Sequence, residues 1–324
     1  MTTGHSLSYA FVGSGGFAAR CLHLLSEWRL PSWIVTAPPK PAGRGNRIAP
    51  TPVESMILET PRFEGVPLVR SAAASRDERV LGLKRGEGVG RVDVVFVTDF
   101  GQLIKEPLLS RDEPIGCLNI HPSMLPRYRG AAPIQRVLMD GLCETGVTVF
   151  KLVEQMDSGP ILLQRKISIE ETDDTGSLLD RAATVGVDAF VEYASGTPLS
   201  EWRFAAQDDS LATYAPKIDR AEERIDWSAR ADSISFKIRA LAPKPGAWTT
   251  IRGKRLRILE ARPEEDGRGT SAPGTFAMSR EGTPLVRTGN GLLALCSVQM
   301  EGRKIQPASE WWRGLRAGDG ECLV

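Results

Sequence analysis

Apolar positions along this chain fall into short continuous runs that alternate, as far as residue 205, with stretches of helical spacing. Leu7 to Val12, Trp33 to Thr36, Pro67 to Val69, Val92 to Thr98 and Gly116 to His121 read as strands. The run Val92-Asp-Val-Val-Phe-Val-Thr98 is almost unbroken and rich in β-branched residues, as a central parallel strand covered on both faces must be. Between these runs the spacing predicts helices from the glycine turn after Val12 to Trp28, over Pro52 to Glu59 and around Ser75 to Lys84. Farther on, Pro133 to Asp140 reads as a helix with proline in its first turn, and Thr145 to Leu152 and Pro160 to Ile169 as strands. Leu178, Leu179, Ala182, Val185, Ala189, Phe190 and Tyr193 trace the buried stripe of a helix over Gly176 to Tyr193. This alternation predicts an α/β fold, a doubly wound and mostly parallel sheet occupying residues 1–205.

The rhythm changes after Ser195-Gly-Thr-Pro-Leu199. Residues 206–324 open on a connecting segment and a helix over Ser228 to Leu241. Short runs follow at Ala247 to Ile251, Lys254 to Ala261, Gly274 to Met278, Leu285 to Thr288 and Leu292 to Val298. Short strands at that spacing predict a small barrel as a second domain. One loop stands out in the first domain: Pro38 to Pro52 carries too much proline and glycine for regular structure, and it is long and basic. Loops of that length inside a compact α/β domain are usually functional or disordered.

Composition narrows the classes. A chain of 324 residues with a quarter of them charged and a mean hydropathy of −0.18 is an ordinary globular protein. No apolar run approaches membrane-spanning length, and the opening residues lack the basic start and apolar core of a signal peptide, so a cytoplasmic protein without a membrane partner is expected. The five cysteines are widely spaced with no Cys-x-x-Cys pair, which points to reduced thiols and no zinc site. A net charge of +1 suggests no polyanionic partner by itself, yet Arg230 to Arg262 holds nine basic residues against Asp232 and Glu260. A basic patch on the second domain follows only if those residues converge on one face.

Candidate chemistry sits at the end of the Gly116 to His121 strand. Period two puts Asn119 and His121 on one face and Leu118 and Ile120 on the other. Pro122 keeps His121 extended, so its imidazole lies at the carboxyl end of the strand, where open α/β sheets place their ligands. An amide can donate to a developing oxyanion and an imidazole can carry a proton near neutral pH. Alone, such a pair is equally compatible with satisfied core groups. Three features favour a site: only three histidines are present, the loop Ser123 to Gly130 carries a proline and two arginines, and Asp157 lies at a turn between two strands, able to orient the imidazole. The stretch Gly13-Ser-Gly-Gly-Phe-Ala18 fits a dinucleotide fingerprint literally, but the next strand ends without the acid that holds a ribose. Those glycines are therefore read as turn and packing residues.

The run LNIHPSMLPRYRGAAPIQ from Leu118, followed by ETGVTVFKLVEQMDSGPIL from Glu144, strongly resembles the 10-formyltetrahydrofolate-dependent formyltransferases. The resemblance implies a catalytic set of Asn119, His121 and Asp157, with 10-formyltetrahydrofolate as formyl donor and no metal. It also implies folate contacts from Ser123, Met124, Leu125 and Pro126, and from the segment Phe100, Gly101, Gln102, Leu103 and Ile104 beside the pterin. Two departures are mild: Met124 replaces a leucine, and Leu103-Ile104 exchanges two aliphatics. Pro41-Ala-Gly-Arg-Gly45 is similar to the loop that the methionyl-tRNA formyltransferases of this family insert against the acceptor end of tRNA, which implies Arg44 and then Arg47 as contacts. Asn46 and Arg47 stand where lysines are common, so the charge there is thinner. The resemblance further implies an OB-like second domain whose basic residues, Lys237, Arg239, Lys254, Arg255 and Arg257, meet the tRNA. The implied partners are methionyl-initiator tRNA and the folate, taken up by a monomer. A sugar-nucleotide formyltransferase and a folate-binding protein without transfer activity are the alternatives.

Overall fold

The computed structural model describes residues 7–42, 47–83, 88–111, 113–264, 272–278, 282–315 and 321–324. In the first unit, β1 (Tyr9–Gly13), α1 (Gly16–Trp28), β2 (Ile34–Thr36), β3 (Lys40–Ala42), β4 (Arg47–Ala49), α2 (Pro52–Glu59), β5 (Leu68–Arg70), β6 (Val94–Thr98) and β7 (Gly116–His121) follow in order. After α3 (Pro133–Met139) come β8 (Glu144–Lys151), β9 (Ile161–Ser168) and α4 (Thr175–Gly196). One seven-stranded sheet runs β5-β2-β1-β6-β7-β8-β9. Its first five strands are parallel and β8 and β9 antiparallel, so the expected doubly wound, mostly parallel sheet is present.

Period two decides the faces of this sheet. Tyr9 and Phe96 point to one side, where Phe96 meets Phe190 of α4 edge-on at 4.7 Å and Trp28 of α1 meets the same ring at 6.1 Å. Ala10, Val12, Val95 and Val97 point to the other, into a cluster with Phe100, Ile104 and Leu108. Strand order reverses between β1 and β6, whose carboxyl ends therefore frame a crevice. There a cleft of about 360 Å³ is lined by Ser14, Gly15, Lys40, Asp99, Gly101 and Gln102 among others.

The glycine turn has a specific cause. A side chain at Gly15 would put its Cβ 1.8 Å from a carboxylate oxygen of Asp99. Asp99 accepts from the backbone amides of Phe17 and Ala18 and so occupies the amino end of α1; burial pushes its carboxyl up, and those two amides pull it back down. The fingerprint glycines thus admit an internal carboxylate, not a dinucleotide phosphate. Elsewhere two expectations change. The proline-rich loop is partly regular, since β3 and β4 pair antiparallel around Pro41 and Ile48. The helix expected around Ser75 to Lys84 is only a single turn at Ala74–Arg76. The Asp77 carboxylate there is bonded to the backbone and guanidinium of Arg79, which competes with helix formation.

The second unit gathers residues 131–143, 169–178 and 215–324, while 206–214 group with the first. It contains α3, α5 (Ala231–Leu241), β10 (Ala247–Ile251), β11 (Lys254–Glu264), β12 (Phe276–Met278), β13 (Pro284–Arg287), β14 (Leu292–Met300), β15 (Gln306–Pro307) and α6 (Ala308–Leu315). Its antiparallel sheet runs β10-β11-β14-β13-β12, with β15 on β14 and register shifts around Glu260 that bend the long β11. Residues 322–324 complete the curl: Val324 exchanges backbone bonds with Thr250 at 2.9 and 3.0 Å, and Leu323 donates to Gly274 at 2.9 Å. Ile234, Ile238 and Leu241 of α5 share one core with Leu256, Ile258, Leu293, Leu295 and Trp311. α3 belongs here because Gly141, just after it, lies under the Phe236 ring, where a Cβ would meet ring carbon at 2.3 Å.

Arg136 of α3 clasps Glu222 through two nitrogens at 2.6 and 2.9 Å. That bond first, then the amide of Asp219, holds the Glu222 carboxyl down at about 2. Because the folded value lies below the ordinary one, the pair stabilises the protein fully above the usual glutamate range and loses that contribution as pH falls from there through the folded value. Glu222 is 36% exposed, so the expected contribution is below about 1 kcal/mol. Urea unfolding of Glu222→Gln should fall short of the parent near neutral pH, with the gap narrowing below the usual glutamate range and closing as pH approaches about 2. A second prediction concerns the glycine turn: Gly15→Ala should cost roughly 1–3 kcal/mol by overpacking against Asp99, measured as a lowered unfolding midpoint.

Candidate active site

β7 delivers Asn119 and His121 at the carboxyl end of the sheet, opposite Phe150 and Thr148 of β8. Ile120, between them, turns to the α4 side, where it lies near Gly186. His121 is 5% exposed, and its Nε2 lies 3.0 Å from the carbonyl oxygen of Tyr128. A carbonyl only accepts, so Nε2 carries the proton in that bond and Nδ1 is the nitrogen left for chemistry. Nδ1 lies 3.9 Å from Oδ2 of Asp157, beyond hydrogen-bonding distance. The same Oδ2 accepts from the Gly130 amide at 2.8 Å. Asn119 is half-buried, and its carboxamide bonds to none of the described residues. The structure therefore brings the three candidate catalytic residues to one place, with an unengaged amide beside an imidazole and a carboxylate.

Two of these positions stand on strained backbone. Tyr128 has φ 58° and Asp157 φ 50°, both in the left-handed region that non-glycine residues seldom occupy. Each is held there by its neighbours. The Tyr128 amide donates to Thr213 Oγ1 at 2.9 Å, and the Asp157 carbonyl accepts from Gln207 Nε2 at 2.8 Å. Arg129, between Tyr128 and Gly130, is fully buried and binds Gln207 Oε1 and Asp209. The sequence reading missed Arg129, Gln207 and Thr213. An arginine before a glycine in a loop looks like surface charge until its burial is known.

The loop Ser123 to Pro126 is held mainly by side chains of β8 and β9. Thr148, buried, donates to the Ser123 carbonyl at 2.6 Å and accepts from the Leu125 amide at 3.1 Å and from Gln164 at 2.9 Å. Ser123 Oγ closes the loop on the Arg127 carbonyl at 2.7 Å, Leu125 is buried, and Met124 lies over Gly146. Of the segment expected beside the pterin, Phe100 and Ile104 are core residues, Leu103 is exposed, and Gly101 takes φ 75°. Gln102 is tied to the backbone of Ser71 and Ala74. Open to a ligand, then, are Gly101, Leu103 and parts of Met124 and Pro126, together with backbone groups.

Among the basic residues implied as tRNA contacts, Arg44 lies outside the described residues and Arg47 is exposed at the start of β4. In the second unit, Arg255 and Arg257 alternate on β11 with the core residues Leu256 and Ile258, so both face outward. Arg255 lies over the Trp248 ring at 4.3 Å and pairs with Glu223. Arg257 donates to Gln299 and to the Pro243 carbonyl, both at 2.7 Å. Arg239 holds the carbonyls of Asp173 and Glu170. Lys237 donates to the Arg224 carbonyl, and Lys254 is exposed in the β10–β11 hairpin. Arg239 and Arg257 are thus engaged within the unit.

No group of three or more His, Cys, Asp or Glu residues suited to a metal ion occurs among the described residues, and no helix there is long and apolar enough to cross a membrane. Of the thiols, Cys117 is pushed up to about 12 by burial, which removes it as a nucleophile at neutral pH.

Residues 11–194 match the family model described as formyl transferase, and residues 217–316 match that of the formyl transferase C-terminal domain. The methionyl-tRNA formyltransferase of Roseiflexus sp. (strain RS-1) is 38% identical over 323 residues, covering 98% of this chain and 95% of that protein. Two solved structures share the fold at lower identity. HypX from Aquifex aeolicus in complex with tetrahydrofolic acid has a TM-score of 0.60 at 16% identity, matching 97% of this chain and only 48% of its own. An N-formyltransferase from Helicobacter canadensis in complex with folinic acid and dTDP-3-aminofucose has a TM-score of 0.62 at 15% identity, over 90% of this chain and 99% of that one. The chain belongs to the formyl transferase family.

Thr148 is the node on which the Ser123 to Pro126 loop depends. Thr148→Val leaves the Leu125 amide without its acceptor and the Ser123 carbonyl without this donor, so we expect a loss of roughly 1–3 kcal/mol in stability and faster amide exchange at Leu125. Unaltered exchange there would mean that the loop is held by other contacts.

Proposed function

We propose that this chain transfers the formyl group of 10-formyltetrahydrofolate to the α-amine of methionine carried on initiator tRNA. The observation that carries the proposal is the grouping of Asn119, His121 and Asp157 at the carboxyl end of β7. The relative's name supports charged tRNA as acceptor, and the folate-bound neighbours of the same fold support the donor. In the transfer, the amine nitrogen attacks the formyl carbon, the carbonyl oxygen gains charge, and collapse expels the N10 nitrogen of tetrahydrofolate. The unengaged Asn119 amide is suited to donate to that oxyanion. His121, oriented through Nε2 by the Tyr128 carbonyl, moves protons through Nδ1, and the Asp157 carboxylate 3.9 Å from that nitrogen stabilises the imidazolium by its charge. The donor is already an activated N-formyl amine, so no step asks for a metal. Every catalytic group comes from the first unit of one chain, which fits a monomer acting in the cytoplasm, where charged tRNA is made.

The acceptor is far larger than the cleft, so its body must be oriented elsewhere. Arg47 and Lys254 are exposed and suited to meet phosphate, Arg44 is the further contact that its loop motif implies, and Arg255 would have to share its pairing with Glu223, whereas Arg239 and Arg257 serve chiefly to hold the second unit together.

The direct test is to incubate the protein with 10-formyltetrahydrofolate and charged initiator tRNA and to look for formyl-methionine. Asn119→Ala and His121→Ala should each lower the rate by roughly two to four orders of magnitude with little change in folding. Formylation of an amino-sugar nucleotide in place of charged tRNA would move the chain to another acceptor within the family. Lys254→Glu with Arg255→Glu should weaken tRNA formylation without changing folate binding, and the remaining affinity should depend less steeply on salt. Equal loss of folate affinity would contradict that division of labour.

A further inference from the structure

We propose that Gln207 is a positioning residue that sets Asp157 against His121, which makes residues 205–214 a working part of the active site and not merely a connection. The proposal rests on the transfer reading of Asn119, His121 and Asp157 given above.

Every hydrogen-bonding group of the Gln207 carboxamide points at the site. Its Nε2 donates to the Asp157 carbonyl at 2.8 Å and to the Gly159 carbonyl at 2.7 Å, the two ends of the turn that carries Asp157. Its Oε1 accepts from Nε and from a terminal nitrogen of Arg129 at 3.1 and 2.7 Å. This orientation is forced, because a guanidinium has no acceptor and a carbonyl has no donor. Arg129 is itself 1% exposed, and the same terminal nitrogen also donates to Asp209 at 2.6 Å. A buried guanidinium so bound does not move to follow the glutamine. The glutamine is held to it.

Neighbouring residues of the segment reach the second catalytic loop. Ala205 and Ile161 exchange backbone bonds at 2.7 and 2.9 Å, and Thr213 accepts from the amides of Tyr128 and Arg129, each at 2.9 Å. Tyr128 supplies the carbonyl that anchors His121, and Asp157 is the acid facing it. Both sit at positive φ, a conformation that persists only where the surroundings fix it. Residues 205–214 therefore join the loop that anchors the imidazole to the turn that carries the acid, and the 3.9 Å between Nδ1 and Oδ2 is set by that junction.

The test uses the full chain with Gln207→Glu and Gln207→Ala. Gln207→Glu keeps acceptors for Arg129 but removes both donors to the Asp157 turn. For both variants kcat should fall by roughly 100-fold, the loss expected from displacing a reacting group by about 1 Å, with KM for folate and for charged tRNA within about threefold of the parent. Amide exchange at Gly130, whose N–H is bound by Asp157, should quicken by about tenfold or more in NMR, while the unfolding midpoint of Gln207→Glu stays near that of the parent. A kcat within about threefold of the parent, or unchanged Gly130 exchange, overturns the proposal. Gly130 exchange is read without substrate. A parent protein that formylates no charged tRNA would overturn the transfer reading, while faster Gly130 exchange in Gln207→Glu would still uphold the clamp.

Discussion

A buried positive charge must be matched where it lies, and in the first unit that constraint falls on Arg129. Its guanidinium is enclosed by the protein, and removing one partner from such a group typically costs about 3–5 kcal/mol. Its partners, Gln207 and Asp209, come from a segment some eighty residues further along the chain. That demand draws the segment across the site, and the rest follows: the turn at Asp157 is braced, the Tyr128 carbonyl is aimed, and the imidazole is locked in one tautomer. The sheet brings β7 to the right edge. The arginine decides what stands in front of it.

Much of this was legible in the sequence. The nearly unbroken β-branched run of Val92 to Thr98 and the period-two alternation of Gly116 to His121 identified the central strands and the polar face holding Asn119 and His121. The seven-residue apolar stripe of α4 gave its helix because long amphipathic periods leave little ambiguity. Local competition was not legible. The Ser75 region has helical spacing, but Asp77 offers its backbone other bonds. Prolines suggested disorder between Pro38 and Pro52, yet a strand pair needs only a few free amides and Pro41 sits where it forfeits little.

Long-range pairing was the other gap. Nothing near Gln207 marks it as part of a site: glutamine carries no charge, has no motif around it, and lies in what reads as a connecting stretch. Its role appears only when Arg129, Asp157 and Gly159 are brought to it. The basic residues show the converse. Arg239 and Arg257 read as surface charge by composition, and the fold binds both to backbone carbonyls. Charge clusters in sequence record how many cations a segment has, not how many remain available.

Asp99 at the head of α1 has a consequence for the company this protein keeps. The amino end of the first helix in a doubly wound sheet is the natural seat for a diphosphate, and any cell is crowded with free nucleotides at high concentration. Here the seat is filled by a carboxylate built into the chain, fitted so closely that only glycine can stand at position 15. A competing nucleotide would have to evict a tethered anion that never diffuses away. The amino end of α1 is thereby closed to a nucleotide's phosphates by a group that belongs to the chain itself.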